Sequence, residues 1–253
     1  MRSLIVIPSR KGSTRLPNKP MIELEGKTLV RRVWDQAVLT QMDVIVATDS
    51  GEIKDHVESF GGTCYMTSPD HRCGTDRVRE ATDLHGADGY EAIINLQGDL
   101  PFIEPGQILE STIPLAHGFD VGTLVCQMED SEKGNRNCVK AICSKNKDES
   151  TLFCHWFLRA SLGYGYRHAG IYSFWPEVLE RPLTPSEHEV IEDLEQLRFL
   201  EGGYSIGAFL TQNIPMEINV AEDIVPEEVK KWDDENRFRN YSGVFCSGTR
   251  GLE

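Results

Sequence analysis

Three short apolar runs, LIVIP at 4–8, DVIVAT at 43–48 and EAIINLQ at 91–97, are separated by long stretches with helical spacing. Antiparallel strands can be joined by a tight turn, whereas a parallel neighbour needs a crossover of a dozen or more residues, usually a helix. The intervals here fit the second case. The pattern predicts strands at 3–8, 43–48, 63–67 and 91–97, with helices at 28–40, 51–60 and 75–85 between them. Such alternation belongs to a layered α/β fold, and the continuous apolar centre of the run at 91–97 suits a strand covered on both faces.

Beyond residue 118 the pattern loosens into strands at 119–127, 138–143, 168–174 and 214–219, a helix at 187–201 and an acidic helix at 222–238. The helix at 187–201 opens with Ser186 and Glu189 in capping-box spacing. Val190, Ile191, Leu194 and Leu197 then recur at helical intervals, a stripe expected to pack on the sheet. No linker interrupts the chain, so the reading is one domain over 1–240 and a frayed tail over 241–253.

Charge narrows the partners. Forty Asp and Glu against 26 Lys and Arg give a net charge of −14, which repels nucleic acid. The first apolar run is too short for a signal-peptide core or a membrane span, so a cytoplasmic protein with no membrane partner is expected. Seven cysteines contain no CxxC pair, which fits buried reduced thiols, with Cys73 in a polar loop the one expected to be open to modification.

Against this acidic background, RKGSTRLPNKP at 10–20 places Arg10, Lys11, Arg15 and Lys19 directly after the first strand. Ligands of α/β sheets bind beyond the carboxyl ends of strands, so the loop is suited to a nucleotide's phosphates. Gly12 allows close backbone approach, Ser13 and Thr14 offer hydroxyls, Arg15 a planar fork and Lys19 a point charge. GxGxxG is absent, and Met21 stands where a P-loop preceding Gly26-Lys27-Thr28 needs its first glycine, so Thr28 is read as a helix cap. In INLQGDLPF, Asp99 lies just past the buried strand at 91–97; beside phosphates it requires a cation, and Mg²⁺ suits a carboxylate completed by phosphate oxygens. Taken alone, the Gly98-Asp99 pair reads more simply as a cap of a turn or of the next helix.

The basic loop, Thr48-Asp49, CGTDR at 73–77, NLQGDLP at 95–101, FLRA at 157–160, RHAGIY at 167–172 and LEQLR at 194–198 together resemble the 3-deoxy-manno-octulosonate cytidylyltransferases over roughly residues 3–235. The resemblance implies a three-layer α/β nucleotidyltransferase fold, Rossmann-like and of the nucleotide-diphospho-sugar transferase type, with a mixed, mostly parallel sheet. It also implies a homodimer, with a sugar-binding and dimerisation portion near 120–215. The implied reaction joins CTP to an acidic eight-carbon sugar and releases pyrophosphate, for lipopolysaccharide or another surface glycan.

By the same resemblance Arg10, Gly12, Ser13, Arg15 and Lys19 hold the triphosphate, with Arg10, Lys19 and Asp99 catalytic. Gly74, Thr75 and Arg77 border the nucleotide. Gln97, Arg159, His168, Tyr172, Glu195 and Gln196 shape the acceptor pocket, and Asp99 with Asn219 holds Mg²⁺. Structural readings stand beside these: a strand histidine for His168, a packed aromatic for Tyr172, and a Glu195–Arg198 helix pair. The chain departs from the family at EINVAEDI, where Asn219 replaces an aspartate and weaker metal binding follows; Glu217, on the same face of the expected strand, is the candidate substitute. Leu100 and a shortened segment after Arg159-Ala160 also differ, which keeps open another acceptor, such as an amino-substituted octulosonate, a sialate-like sugar or a phosphonate, or a CTP-binding relative without turnover.

Overall fold

The computed structural model describes residues 1–12, 16–146, 150–181, 184–214 and 217–236. Its strands are β1 (Ser3–Ser9), β2 (Glu23–Leu24), β3 (Lys27–Thr28), β4 (Asp43–Thr48), β5 (Thr63–Met66), β6 (Ala92–Leu96), β7 (Val121–Gln127), β8 (Lys140–Lys145), β9 (Thr151–Leu158), β10 (Tyr166–Phe174) and β11 (Ile206–Leu210). Its helices are α1 (Leu29–Val38), α2 (Gly51–Ser59), α3 (Gly74–His85), α4 (Pro105–Glu110), α5 (Ile113–Ala116), α6 (Pro176–Glu180), α7 (Glu187–Glu192), α8 (Leu197–Glu201) and α9 (Pro226–Asn236). Among the described residues no helix is long and apolar enough to cross a membrane.

One mixed sheet runs in the order β5-β4-β1-β6-β10-β7-β11-β9-β8, and β2 with β3 makes a separate small hairpin. Pairing is parallel through β5-β4-β1-β6 and between β7 and β11. β10 enters antiparallel between β6 and β7. Its start also pairs with β8, so the far side of the sheet curls back on itself. From β1 the chain moves outward to β4 and β5, then returns to place β6 on the other side of β1. That reversal opens a crevice at the carboxyl ends of β1 and β6.

Alternation along the strands builds two cores. Leu4, Val6, Ile45, Ala47 and Ile93 face α3, α6 and α8, while Ile5, Ile7, Val46, Ile94 and Leu96 face α1, α2 and α4. The result is a helix–sheet–helix sandwich. A third cluster joins Leu24, Leu29, Phe102 and Ile218 to Val229 of α9. There Arg32, itself buried, clamps Asp233 of α9 through both guanidinium nitrogens at 2.7 and 2.8 Å.

The first half follows the pattern of its apolar runs closely, and Thr28 caps α1 as read, accepting the Arg31 N–H at 3.3 Å. The second half departs from it in several places. β9 and β11 were not expected; in β11, Gly207 and Ala208 lie in a strand covered on both faces, where alternation carries no signal. Residues 217–219 do not form the expected strand; their described link to the sheet side is one main-chain bond, Ile218 N–H to the Asp99 carbonyl at 3.0 Å. Finally, the single helix expected at 187–201 is two. The Ser186–Glu189 capping box starts α7, but Asp193 turns left-handed (φ 55°) and ends it. Val190 and Ile191, expected to pack on the sheet, are 68% and 67% exposed, while Leu194 and Leu197 beyond the break are buried. The tail at 241–253 lies outside the described residues.

Candidate active site

The crevice between the ends of β1 and β6 opens into a cleft of about 570 Å³. One wall begins where β1 ends. Ser9 and Arg10 follow the strand, and a turn with Asn18 in the left-handed region (φ 53°) brings Lys19 back over the β6 end. Lys19 Nζ donates to Asp99 Oδ2 at 3.1 Å, 80 residues apart in sequence. Gly98 packs closely on the end of β1, where a Cβ would lie 3.1 Å from the Pro8 carbonyl oxygen. Lys11 turns the other way, to Glu52 at 2.9 Å. Ser13 and Arg15 lie outside the described residues, and exposed Gly12 is not part of the cleft lining.

α3 supplies the next side. Its first residue, Gly74, lines the cleft against Gln97; an added Cβ would come within 3.0 Å of Gln97 Nε2. Arg77 lines it as well, steadied by Asp49 at 3.0 Å and by the Thr67 hydroxyl. Burial pulls the Arg77 pKa down against the pull of Asp49. Thr75 is brought near but sits behind the wall: its N–H donates to Glu195 Oε2 at 3.0 Å and its hydroxyl accepts from Asn95 at 3.2 Å. Cys73 lines the cleft but is not the reactive thiol expected, because burial and the adjacent Glu195 charge push its pKa up.

On the far side of the cleft, Glu195 accepts from Gln97 Nε2 at 2.9 Å as well as from Thr75, and burial raises its pKa. The Glu195–Arg198 pair of the alternative reading does not form. Arg198 instead reaches Glu189 at 2.8 Å and Asp76 at 2.9 Å. Tyr172 donates to Gln196 Oε1 at 3.0 Å. His168 packs on Phe157 and Tyr172 and pairs with the Thr123 hydroxyl at 3.0 Å; burial, then the Arg159 charge, lowers its pKa to about 3. The imidazole is therefore neutral.

Arg159 is placed by the break between α7 and α8. Its guanidinium donates to the Glu192 carbonyl at 3.1 Å and the Asp193 carbonyl at 3.3 Å, the orphan acceptors of the helix end. Held by main-chain carbonyls, it lines the cleft. Among the lining residues that had not been singled out are Ser9, Asn137 and Asp193. Ser9 carried a signal, being the last residue of the first strand. Its Oγ and Gln196 Nε2 are buried with no hydrogen-bond partner among the described residues, which leaves two polar groups for a ligand to satisfy.

Whether the site suits a divalent cation can be judged from its oxygens. The Ile218–Asp99 bond sets Glu217 and Asn219 in the cleft wall beside Asp99. Burial, then the Asp99 charge, raises the Glu217 pKa. Asn219 Nδ2 donates to Glu217 Oε2 at 3.3 Å. Two crowded carboxylates and an amide form a hard oxygen donor set that fits Mg²⁺. The described residues hold no cluster of three or more acidic, His or Cys side chains placed to bind a metal, so phosphate oxygens would have to complete the shell. The helix expected at 222–238 would place Glu222 and Asp223 in its first turn. They fall instead in a separate turn, where Asp223 accepts the Asn219 and Val220 N–H groups at 2.6 and 2.9 Å.

A family model described as cytidylyltransferase matches residues 4–209. The 3-deoxy-manno-octulosonate cytidylyltransferase of Brucella anthropi is 39% identical over 234 residues, covering 88% of this chain and 94% of the relative. A solved structure of CMP:2-keto-3-deoxy-manno-octonic acid synthetase complexed with CTP superposes with a TM-score of 0.79 at 29% identity, covering 94% of this chain and all of that one. HddC from Yersinia pseudotuberculosis, at 16% identity and a TM-score of 0.66 over 92% of this chain and 100% of that one, shares the fold.

Proposed function

The chain belongs to the cytidylyltransferase family, and from that premise we propose that it couples CTP to 3-deoxy-manno-octulosonate, giving the CMP-sugar and pyrophosphate for lipopolysaccharide synthesis. The observation that carries the reading is the meeting of Lys19 and Asp99 at 3.1 Å in a cleft that Arg10 and Arg77 also line. Cations from one strand end and an acid from its neighbour converge where a triphosphate would lie.

In this reading Arg10, Lys19 and Arg77, with Ser13 and Arg15, bind the phosphates of CTP and stabilise the departing pyrophosphate. Gly74 borders the nucleotide. Arg159 receives the acceptor's carboxylate, while Tyr172, Gln196, Glu195 and Gln97 orient its hydroxyls; His168 stays neutral beneath them. The anomeric hydroxyl is thereby aimed at the α-phosphorus, and rate comes from positioning and from charge placed before the reaction starts. Asp99, with Glu217 and Asn219, would hold Mg²⁺, which when bound supplies positive charge to the phosphate oxygens. The enzyme is further proposed to act in the cytoplasm as a single catalytic domain that pairs into a homodimer.

The test is pyrophosphate release from CTP with Mg²⁺ across a panel of acceptors: the octulosonate, its amino-substituted analogue, a sialate and a phosphonate. Turnover is expected with the octulosonate, and Asp99→Asn is expected to lower it by about 100-fold or more with the melting temperature little changed. Release with another acceptor alone would reassign the substrate. CTP binding without release from any acceptor would remove the enzymatic reading, and near-normal turnover of Asp99→Asn the role of Asp99.

A further inference from the structure

Away from the cleft, Cys143 of β8 stands directly opposite Cys154 of β9 in the antiparallel register, just after the irregularity between Ile142 and Cys143. Opposed residues in such a pair have Cα atoms about 4.5–5.5 Å apart, within the roughly 4.4–6.8 Å that a disulfide spans. The two sulfurs are already 3.5 Å apart, in contact. Closing to the bonded length of about 2.05 Å requires side-chain rotation and no slip of the strands. Among the described residues no other two cysteines make such a contact.

Access is asymmetric. β8 pairs with β10 only at Lys140 and Ala141, so beyond them its outer edge is open and Cys143 is half-buried, whereas Cys154 is fully buried. The contact with Cys143 and burial hold the Cys154 thiol protonated. The bland account is two small hydrophobes packing across a strand pair. Direct opposition, sulfur contact and one partly exposed member together go further.

We propose that Cys143 and Cys154 are a modification site, a cross-strand dithiol that a hydroperoxide converts to a disulfide. The Cys143 thiolate attacks the peroxide oxygen, giving a sulfenic acid and releasing the alcohol, or water from hydrogen peroxide. Cys154 sulfur then displaces hydroxide from the sulfenic sulfur, and its proton leaves with that hydroxide as water. Two thiols lose two electrons and two protons, and the hydroperoxide is reduced by the same two electrons. The new bond closes a short loop between β8 and β9, the strands that lead from Asn137 and to Arg159 in the cleft wall.

The test treats the full-length reduced protein with hydrogen peroxide and follows intact mass, free thiols after denaturation, and peptide mapping without reductant. A loss of about 2 Da, a fall from seven thiols to five, and a crosslink between the peptides carrying Cys143 and Cys154 are expected. Dithiothreitol should reverse all three, and the oxidised form should melt about 3–8 °C higher. Cys143→Ser should show neither crosslink nor peroxide-dependent shift in melting. Oxygen addition without loss of thiol pairs, a crosslink mapped to other cysteines, or seven thiols remaining would each overturn the proposal. Mapping is done on the unsubstituted chain, so the result does not depend on a variant folding.

Discussion

His168 shows what burial does to a single residue. In the folded chain its imidazole is held neutral down to about pH 3, whereas in the unfolded chain it takes a proton near its ordinary value of 6.5. Below pH 6.5 the unfolded state therefore binds the extra proton. This contribution is absent above pH 6.5 and costs stability as the pH falls from 6.5 towards 3, at up to about 1.4 kcal/mol per pH unit. Urea unfolding at pH 7 and pH 4.5 should show a larger loss for the wild-type chain than for His168→Gln, whose amide can keep the Thr123 bond. Equal losses would mean that the imidazole titrates normally. The motif that contains His168 was legible in the sequence, but its neutrality was not, because that depends on Phe157 and Arg159 from another strand.

Among the elements, the turn between α7 and α8 decides the cleft wall that carries Glu195 and Gln196, the side proposed to take the acceptor. Ser186 and Glu189 announce where the helix begins, and helical periodicity runs on through Leu197 without a Gly or Pro to stop it. The stop comes from elsewhere: Asp193 adopts the left-handed conformation and Arg159, from the end of β9, takes the Glu192 and Asp193 carbonyls. Asp tolerates that conformation better than a β-branched residue does, and Gly better still. Asp193→Gly should leave stability within about 0.5 kcal/mol, and Asp193→Ile should cost about 1–3 kcal/mol. The isoleucine variant should also raise KM for the acceptor more than KM for CTP, since Glu195 and Gln196 follow the turn. Equal effects on both substrates would detach this turn from acceptor binding.

Over the whole molecule, the site exists because distant pieces are fastened together. Arg198, 3% exposed, joins α8 to Glu189 of α7 and to Asp76 of α3, and so braces the α7–α8 side of the cleft against α3. Arg198→Met should cost about 2 kcal/mol or more by denaturant midpoint, because two partly buried carboxylates lose their shared cation. Lysine should not restore the loss, having no planar fork to divide between them; full recovery with lysine would reduce the contact to simple charge. From local order alone came the alternating elements of the first half, the phosphate-suited loop after β1 and the acid after β6, since apolar period, turn residues and charge are written along the chain. The pairing of Lys19 with Asp99, the insertion of β10 and the arrest of α7 were settled only in three dimensions. They depend on contacts between residues tens of positions apart, whose free energy appears once the sheet has closed and water has left the cleft walls.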